Sequence, residues 1–330
     1  MEKSIFKNDD KNNSSYFDNI KLFLIWGVIF GHLLEQFLGS SPLIKSLYIW
    51  IYLFHMPAFV FISGYFYKKN TKRAVKRIVK YILLYFIFQI LYSWFFHLDV
   101  QFIVPTWPLW YLVSLTSWLA IALWLPINKK VIFGSIILSL VVGAFGFIND
   151  AFSLSRTFYF LPFFLMGQYI GQNGFKINWQ HFKMIGFLLI VAVLIFIVIL
   201  NSYFNFDFRI LYGKFGYAFF SQILWAGIFS RIFIYFVSLL LMAAIFQLIS
   251  KTKNIISQFG RETLFIYILH GFFVRINLYN FAIFKNETAT LLFAFFYSFL
   301  ILAALGGLPL LIKKIRLTPE KINNDVSTPP

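Results

Sequence analysis

Two side chains in one apolar stretch near the start of the chain are well suited to proton transfer. His32 and Glu35 are three residues apart there, so on a helix they share a face with Asp18 and Lys21. A neutral imidazole in a low-dielectric setting acts as a general base or nucleophile near neutral pH. Glu35 can orient that imidazole, as the acid does in a catalytic triad. His55 and His270 also lie inside apolar stretches and are further candidates for this chemistry.

Each of these groups also has a structural interpretation. Asp18 and Lys21 can lie in the headgroup region with His32 as a packing residue, and Glu35 can be hydrated at the outer interface. His55 lies two residues before Pro57, which is expected to kink its helix. That feature by itself favours a packing role for this helix over a catalytic one. Polar groups on a membrane helix nevertheless tend to face the interior or a cavity, so both interpretations stay open.

The elements that carry these residues are predicted to be transmembrane helices. The chain is 60% hydrophobic and only 12% charged, which excludes an ordinary soluble protein. Apolar runs of about 18 residues or more predict membrane spans. We predict an all-α polytopic bundle of about ten helices, near 17–38, 44–66, 78–96, 108–125, 131–148, 156–172, 184–201, 232–249, 262–282 and 288–312. A further apolar segment, 216–230, is predicted to be re-entrant or interfacial.

The domain organisation follows from the same pattern. We predict a single integral membrane domain at 17–312, with disordered cytoplasmic tails at 1–16 and 313–330. With both termini in the cytoplasm, 22 of the 29 Lys and Arg residues fall on the inner side, in agreement with the positive-inside rule. This bias would collapse if 216–230 crossed the membrane.

The formal net charge of +17 does not indicate nucleic-acid binding. The charges fall at the ends of apolar runs, where they set topology and contact anionic headgroups of membrane lipid. The chain has no cysteine and no histidine or acid cluster with zinc spacing. We therefore predict no metal site.

Candidate binding residues lie near both ends of the predicted helices. The cluster 68–80 contains Arg73, Lys76 and Arg77, which can hold the phosphates of a donor such as coenzyme A or contact lipid headgroups. Arg156 and Arg231 lie towards the predicted outer half, where arginine can bind an anionic or sugar substrate or extend to the interface. We favour the interface for Arg231. Trp110 is typical of an interfacial aromatic belt, or it can stack on a sugar ring.

Five motifs follow one another along the chain. They are Asp18-x2-Lys21-x10-His32, Phe54-His55-Met-Pro57-x3-Phe61-Ile-Ser63-Gly64-Tyr65, Trp107-x2-Trp110-Tyr111-Leu112, Arg156-x5-Pro162-Phe163-Phe164-x2-Gly167, and Gly260-x2-Thr263-Leu264-x2-Tyr267-x2-His270. Together they span nearly the whole chain. In this order they resemble the acyltransferase-3 family of membrane O-acyltransferases, and in particular its stand-alone fucose 4-O-acetylase-like members.

The resemblance implies transfer of an acetyl group from cytoplasmic acetyl-CoA to a hydroxyl of a cell-surface or lipid-linked polysaccharide, in a bacterial cell membrane. The family's Arg-x10-His motif falls on Lys21 and His32, where lysine keeps the charge but loses bidentate phosphate binding. Its cytoplasmic Arg-x-x-Arg lies nearest Arg73 and Lys76. The expected roles are catalysis by His32, Glu35 and His55, donor binding by Lys21, Arg73, Lys76 and Arg77, and acceptor binding by Arg156, Trp110 and His270.

Two other classes of function remain open from the sequence. A glycan exporter or flippase could use intramembrane histidine and glutamate to relay protons or bind cargo. Such a protein needs a continuous polar path or an internal repeat, and we find neither in the sequence. A membrane sensor or assembly subunit would use these groups only structurally. The sequence gives no indication of the oligomeric state.

Overall fold

Ten α-helices make up most of the fold in a computed structural model, which describes residues 10–145, 150–174, 183–204, 206–275 and 286–325. No β-strand occurs within those ranges. The helices are α1 Asp10–Glu35, α2 Pro42–Tyr65, α3 Thr71–Phe95, α4 Trp110–Trp124, α5 Lys129–Ala144, α6 Leu154–Asn173, α7 Lys183–Phe204, α8 Leu224–Leu248, α9 Thr263–Val274 and α10 Glu287–Asp325.

Six of these helices are long and apolar enough to cross a membrane. They are α1, α2, α3, α7, α8 and α10, whose apolar parts are 22 to 26 residues long, while α4 and α9 are shorter apolar helices. A helix of this length matches the thickness of a bilayer core. The predicted class, an all-α polytopic membrane protein, is thereby confirmed.

The helix bounds differ most from the predicted ones at four places, one of which is the start of α3 at Thr71 where the prediction has 78. α1 begins at Asp10 and α10 continues to Asp325, so both terminal helices extend into the predicted tails. The segment 216–230 is not a separate element, because it divides into a 3-10 turn at Tyr217–Phe220 and the first turns of α8. The described residues do not include 1–9 and 326–330, which belong to the predicted tails, or 276–282, which belong to the predicted ninth helix.

The chain divides into two compact units, each with one central helix. The first comprises Met1–Asp10 and Phe37–Ile249, and the second comprises Lys11–Gln36 and Ser250–Pro330. In the first, 78% of the apolar window of α2 is buried, against 17% for α7. In the second, the corresponding share for α1 is 72%. Among the six helices long enough to cross a membrane, the two that contain His32 and His55 therefore have the largest buried share.

Glycines allow α2 and α6 to touch backbone to backbone in the first unit. A Cβ added at Gly64 would overlap the carbonyl of Phe164, and one at Gly167 would overlap the carbonyl of Phe61. Small residues permit such close approach between membrane helices. This crossing holds α2, and His55 with it, against α6.

Polar side chains hold the loop between α3 and α4 in place. The amide of Gln89 donates to the carbonyl of Gln101 and to the hydroxyl of Thr106, and it accepts from the backbone N–H of Thr106 at 2.9 Å. Tyr85 donates to the carbonyl of Phe102 at 2.8 Å. Because buried backbone groups need partners, these bonds fix the loop that leads into Trp110.

Arg231 lies inside α8, and the expectation that it extends to the interface is wrong. Its side chain is buried, and Nη1 donates to the carbonyl of Ser139 at 2.6 Å. The guanidinium carbon lies 5.0 Å from the ring centre of Tyr159 and 4.9 Å from that of Tyr217. Two aromatic faces and a carbonyl stabilise the charge, so the helix continues through this position.

We expect Arg231→Ala to lower the free energy of unfolding by about 2 kcal/mol or more. The change removes a hydrogen bond from a charged donor and two desolvated cation–π contacts. Arg231→Lys keeps the charge but loses the planar group, so it should fall between alanine and wild type. Thermal unfolding in detergent checks the order, with Lys129→Ala as an exposed control. Equal midpoints for Arg231→Ala and wild type would contradict this account.

Candidate active site

The candidate base His32 is held by partners on two sides within the second unit. Its Nδ1 lies 3.1 Å from Oε2 of Glu35, and its ring stacks on His270 with 5.5 Å between ring centres. His32 is 8% exposed, whereas the Glu35 side chain is 38% exposed. Glu35 therefore contacts His32 and also reaches the protein surface, and its role stays a prediction. A carboxylate at Nδ1 orients the ring so that Nε2 can accept a proton.

His270 is fully buried beside His32. Its Nδ1 donates to the carbonyl of Tyr267 at 2.5 Å, which sets the orientation of the ring. Gln36, one residue beyond Glu35, donates to the carbonyl of Val274 at 2.6 Å and joins the ends of α1 and α9. The structure thus suits His270 for positioning His32 better than for touching a sugar.

A second cluster lies nearer the start of α1, where one carboxylate bridges two cations. Asp18, 4% exposed, accepts from Nζ of Lys21 at 2.8 Å and from Nε of Arg261 at 2.7 Å. The cluster has one more positive than negative charge, and Arg261 is half exposed. Lys21 and His32 are separated by about 16 Å along the helix. The two clusters therefore occupy different levels of α1.

Gly260 and Asn19 explain how Arg261 reaches Asp18. A Cβ at position 260 would overlap the backbone of Asp18, so only glycine allows this approach. Asn19 donates to the carbonyls of Ser250 and Thr252, each at 2.9 Å, and accepts from the hydroxyl of Ser257. Together these contacts fix the segment 250–261 against α1.

We expect Asp18→Ala to destabilise the protein by about 1–3 kcal/mol, because it leaves two cations side by side without their carboxylate. The double variant Asp18→Ala with Arg261→Ala should recover part of this loss, since it also removes one cation. A double-mutant cycle on thermal unfolding measures the coupling. Strictly additive effects of the two substitutions would refute the proposed bridge.

His55 belongs to the first unit and is 1% exposed. Its Nδ1 donates to the carbonyl of Ile51, one turn earlier, at 2.8 Å. The ring of Tyr52 meets it edge to face at 4.6 Å, and Tyr52 in turn packs on Tyr212 at 5.5 Å. The helix passes Pro57 without a break. The catalytic role of His55 stays a prediction.

The two predicted acceptor residues of the first unit, Arg156 and Trp110, lie together. The guanidinium carbon of Arg156 is 5.1 Å from the ring centre of Trp110, and Nη1 is 3.3 Å from Asp150. Lys214 joins the same carboxylate at 2.7 Å. Trp110 is only 8% exposed, so it supports Arg156 and offers little ring surface to a sugar.

Backbone strain marks the approach to Arg156. Phe152 and Ser153 both have left-handed backbone angles, with φ of 48° and 56°. Such angles are costly for residues other than glycine and often cluster at functional sites. Two residues after Ser153, the hydroxyl of Ser155 donates to the carbonyl of Gly213 at 2.8 Å. This hydrogen bond helps to hold the strained segment in place.

The basic cluster of predicted donor residues lies in the first two turns of α3. Arg73, Lys76 and Arg77 are all exposed there, and the first turn contains no acidic residue. The amide oxygen of Asn70 caps the helix at the backbone N–H of Arg73. Cations near a helix N-terminus are unfavourable unless an anion lies nearby, so this end is suited to phosphate groups.

Sequence reasoning overlooked three parts of these clusters. From the sequence alone, Arg261 is one of many charges at the ends of apolar runs, although it directly follows Gly260, the glycine of the fifth motif. Asp150 and Lys214 were not singled out, because they are 64 residues apart in the chain. No periodic pattern links such positions, and only the spacing of Gly260 and Arg261 could have hinted at the contact with α1.

The fold and the partly buried histidine–carboxylate pair define a class, a polytopic helical membrane protein with a candidate proton-transfer site. The chain belongs to the acyltransferase-3 family, since residues 14–307 match that family's acyltransferase domain. It is therefore a membrane acyltransferase. No curated protein matches the chain, and no solved structure matches it.

Proposed function

We propose that this protein is an O-acetyltransferase of the fucose 4-O-acetylase-like group. It takes an acetyl group from cytoplasmic acetyl-CoA and transfers it to a hydroxyl of a surface or lipid-linked polysaccharide. The observation that carries this proposal is the contact of the buried His32 with the half-exposed carboxylate of Glu35, backed by His270. An acceptor hydroxyl needs such a base, because an alcohol is a weak nucleophile near neutral pH.

The reaction uses one proton and one acyl group. His32 takes the proton of the acceptor hydroxyl while the oxygen attacks the thioester carbonyl. The new C–O ester bond forms, the C–S bond breaks, and the leaving thiolate of coenzyme A receives the proton from His32. Glu35 stabilises the imidazolium that exists between these two transfers.

The donor's phosphates are assigned to the exposed cations of α3, Arg73, Lys76 and Arg77. Their position at a capped helix N-terminus without acidic neighbours supports this assignment. Lys21 contributes charge through the net positive cluster around Asp18. Because its ammonium is already paired, we propose that it acts together with Arg261.

The acceptor is assigned to the cluster of Arg156, Asp150 and Lys214. Arginine and carboxylate side chains together can donate to and accept from sugar hydroxyls. The ring of Trp110 packs against the guanidinium group of Arg156. The charge distribution supports a location in the bacterial cell membrane with both termini in the cytoplasm.

The test is acetyl transfer by full-length protein in proteoliposomes. Acetyl-labelled acetyl-CoA is supplied on one side at a time, and label is counted in added polysaccharide and in lipid-linked sugar, with protein-free liposomes as control. We expect label in the glycan only when donor faces the α3 cluster. Movement of glycan across the bilayer without any acetyl transfer would reject the enzyme and favour an exporter.

A further inference from the structure

The first unit contains an apolar cavity that none of the proposed catalytic residues lines. Its volume is about 270 Å³, and it lies between α2, α7, α8 and the segment 206–211. Its walls are entirely apolar and include Ile49, Leu53, Phe196, Ile197, Phe233 and Ile234. Sites for drug-sized molecules measure about 300–1,000 Å³ and include polar groups. A small cavity without them suits a hydrocarbon chain.

The cavity is reachable from the bilayer. α7 contributes Ala192 and Val193 to its wall, and only 17% of the apolar window of this helix is buried within the protein. Ala192 itself is exposed. A hydrocarbon chain that moves from the surrounding lipid into the cavity stays in an apolar environment. It gains dispersion contacts there, because the side chains of the cavity wall are more densely packed than lipid.

Charges lie next to one end of this cavity. The cavity-lining residues Ile49 and Leu53 are four positions apart on α2, and Lys45 lies four positions before Ile49. Lys45 is therefore on the same face of the helix, nearer its N-terminus. Phe206 lines the cavity, and Asp207 and Arg209 follow it by one and three residues. The hydrogen bond from Arg209 is the main cause that holds the pKa of Asp207 below its usual value, and the charge of Lys45 acts in the same direction.

Asp207 thus pairs with Arg209 and interacts electrostatically with Lys45, and these three residues, which we call the rim, together carry a net positive charge. The Arg209 side chain is 49% exposed, and its Nη2 lies 2.7 Å from Asp207. A positive rim above an apolar cavity is complementary to an amphiphile with a hydrocarbon chain and an anionic headgroup. Arginine and lysine are common ligands of phosphate.

The rim also leads to the acceptor cluster along one short segment. Leu211 lines the cavity, and the hydroxyl of the next residue, Tyr212, bonds to that of Tyr48 at 2.5 Å. Three residues after Leu211, Lys214 joins Asp150, which also pairs with Arg156. A sugar attached to a phosphate at the rim would therefore extend towards these side chains.

We propose that the cavity binds the hydrocarbon chain of a phosphate-bearing lipid that carries the sugar acceptor. The phosphate contacts Lys45 and Arg209, and the sugar lies along residues 211–214 towards Arg156. This inference rests on the proposed function and narrows it, because it makes the acceptor lipid-linked and excludes a free polymer.

The first experiment measures binding to full-length protein by native mass spectrometry, without any acetyl donor. The probes are an isoprenoid phosphate, the matching neutral isoprenoid alcohol, and a phosphatidylglycerol. We expect the phosphate to bind about tenfold more tightly than the alcohol and more tightly than phosphatidylglycerol. Equal binding of phosphatidylglycerol would show that bulk membrane lipid is the occupant and would overturn the proposal.

Two variants locate the site. Ala192→Phe fills the cavity and should weaken isoprenoid phosphate binding about tenfold, since each methylene that leaves an apolar site lowers affinity. Its control is Ile195→Phe, an exposed position on the same helix that does not line the cavity.

The double variant Lys45→Gln with Arg209→Gln should reduce binding of the isoprenoid phosphate but not of the alcohol. The exposed Lys129→Gln is its control. Unchanged binding in both site variants would reject the cavity.

Transfer assays separate this inference from the proposed function. If wild type acetylates lipid-linked sugar and Ala192→Phe does so equally well, the cavity proposal fails and the acetyltransferase stands. If isoprenoid phosphate binds as expected but wild type transfers no acetyl group to any acceptor, the acetyltransferase fails and the lipid site stands.

Discussion

His32→Ala is expected to lower acetyl transfer by about 10²–10⁴-fold, the usual contribution of a general base. The imidazole is the group held by both Glu35 and His270, and alanine leaves nothing at this position to accept the hydroxyl proton. The rate is measured in proteoliposomes with labelled acetyl-CoA at equal amounts of folded protein. His97→Asn serves as the matched control, since His97 is exposed, lies in a loop and has a left-handed φ that asparagine tolerates.

Glu35→Gln is a second variant that tests the same proton-transfer mechanism. It keeps the shape of the side chain but removes the charge that orients and stabilises the imidazolium, so we expect a smaller loss than for His32→Ala. The double variant should be no slower than His32→Ala alone, because residues that act as a unit are not additive. Normal transfer by His32→Ala would remove His32 from the mechanism, and further slowing in the double variant would separate Glu35 from it.

Gly167→Leu is expected to cause the largest loss of stability, about 1–3 kcal/mol or more. The added side chain would meet the backbone carbonyl of Phe61 in α2, which cannot rotate away as a flexible side chain can. The helices would have to separate along their contact, and His55 would move with α2. Thermal unfolding followed by tryptophan fluorescence in detergent measures the effect.

Gly134→Leu is the control for this substitution. Gly134 lies inside α5, and a Cβ added there meets nothing within 4 Å. Both changes replace a helical glycine by a strong helix former, so any intrinsic gain in helix propensity is the same. Gly167→Ala should be intermediate, since it adds only the Cβ. If Gly167→Leu and Gly134→Leu unfold alike, the α2–α6 contact is not as close as described.

The sequence by itself determined the features that depend on neighbours along the chain. Apolar runs as long as a bilayer is thick predicted membrane helices, and the three-residue spacing of His32 and Glu35 predicted their contact. The sequence places the third helix at about 78–96, whereas α3 begins at Thr71 and contains Arg73, Lys76 and Arg77 in its first two turns. The ordered motifs pointed to the family that the chain belongs to.

Only the tertiary structure decided which distant side chains meet. Arg261 pairs with Asp18 because Gly260 lets two backbones touch, and His270 reaches His32 because α9 packs on α1. Arg231 is buried between two tyrosine rings, against the expectation from its place at the end of an apolar run. Helical periodicity defines the face on which a residue lies, but the partner on that face depends on how helices rotate and cross, which close glycine contacts and buried hydrogen bonds determine.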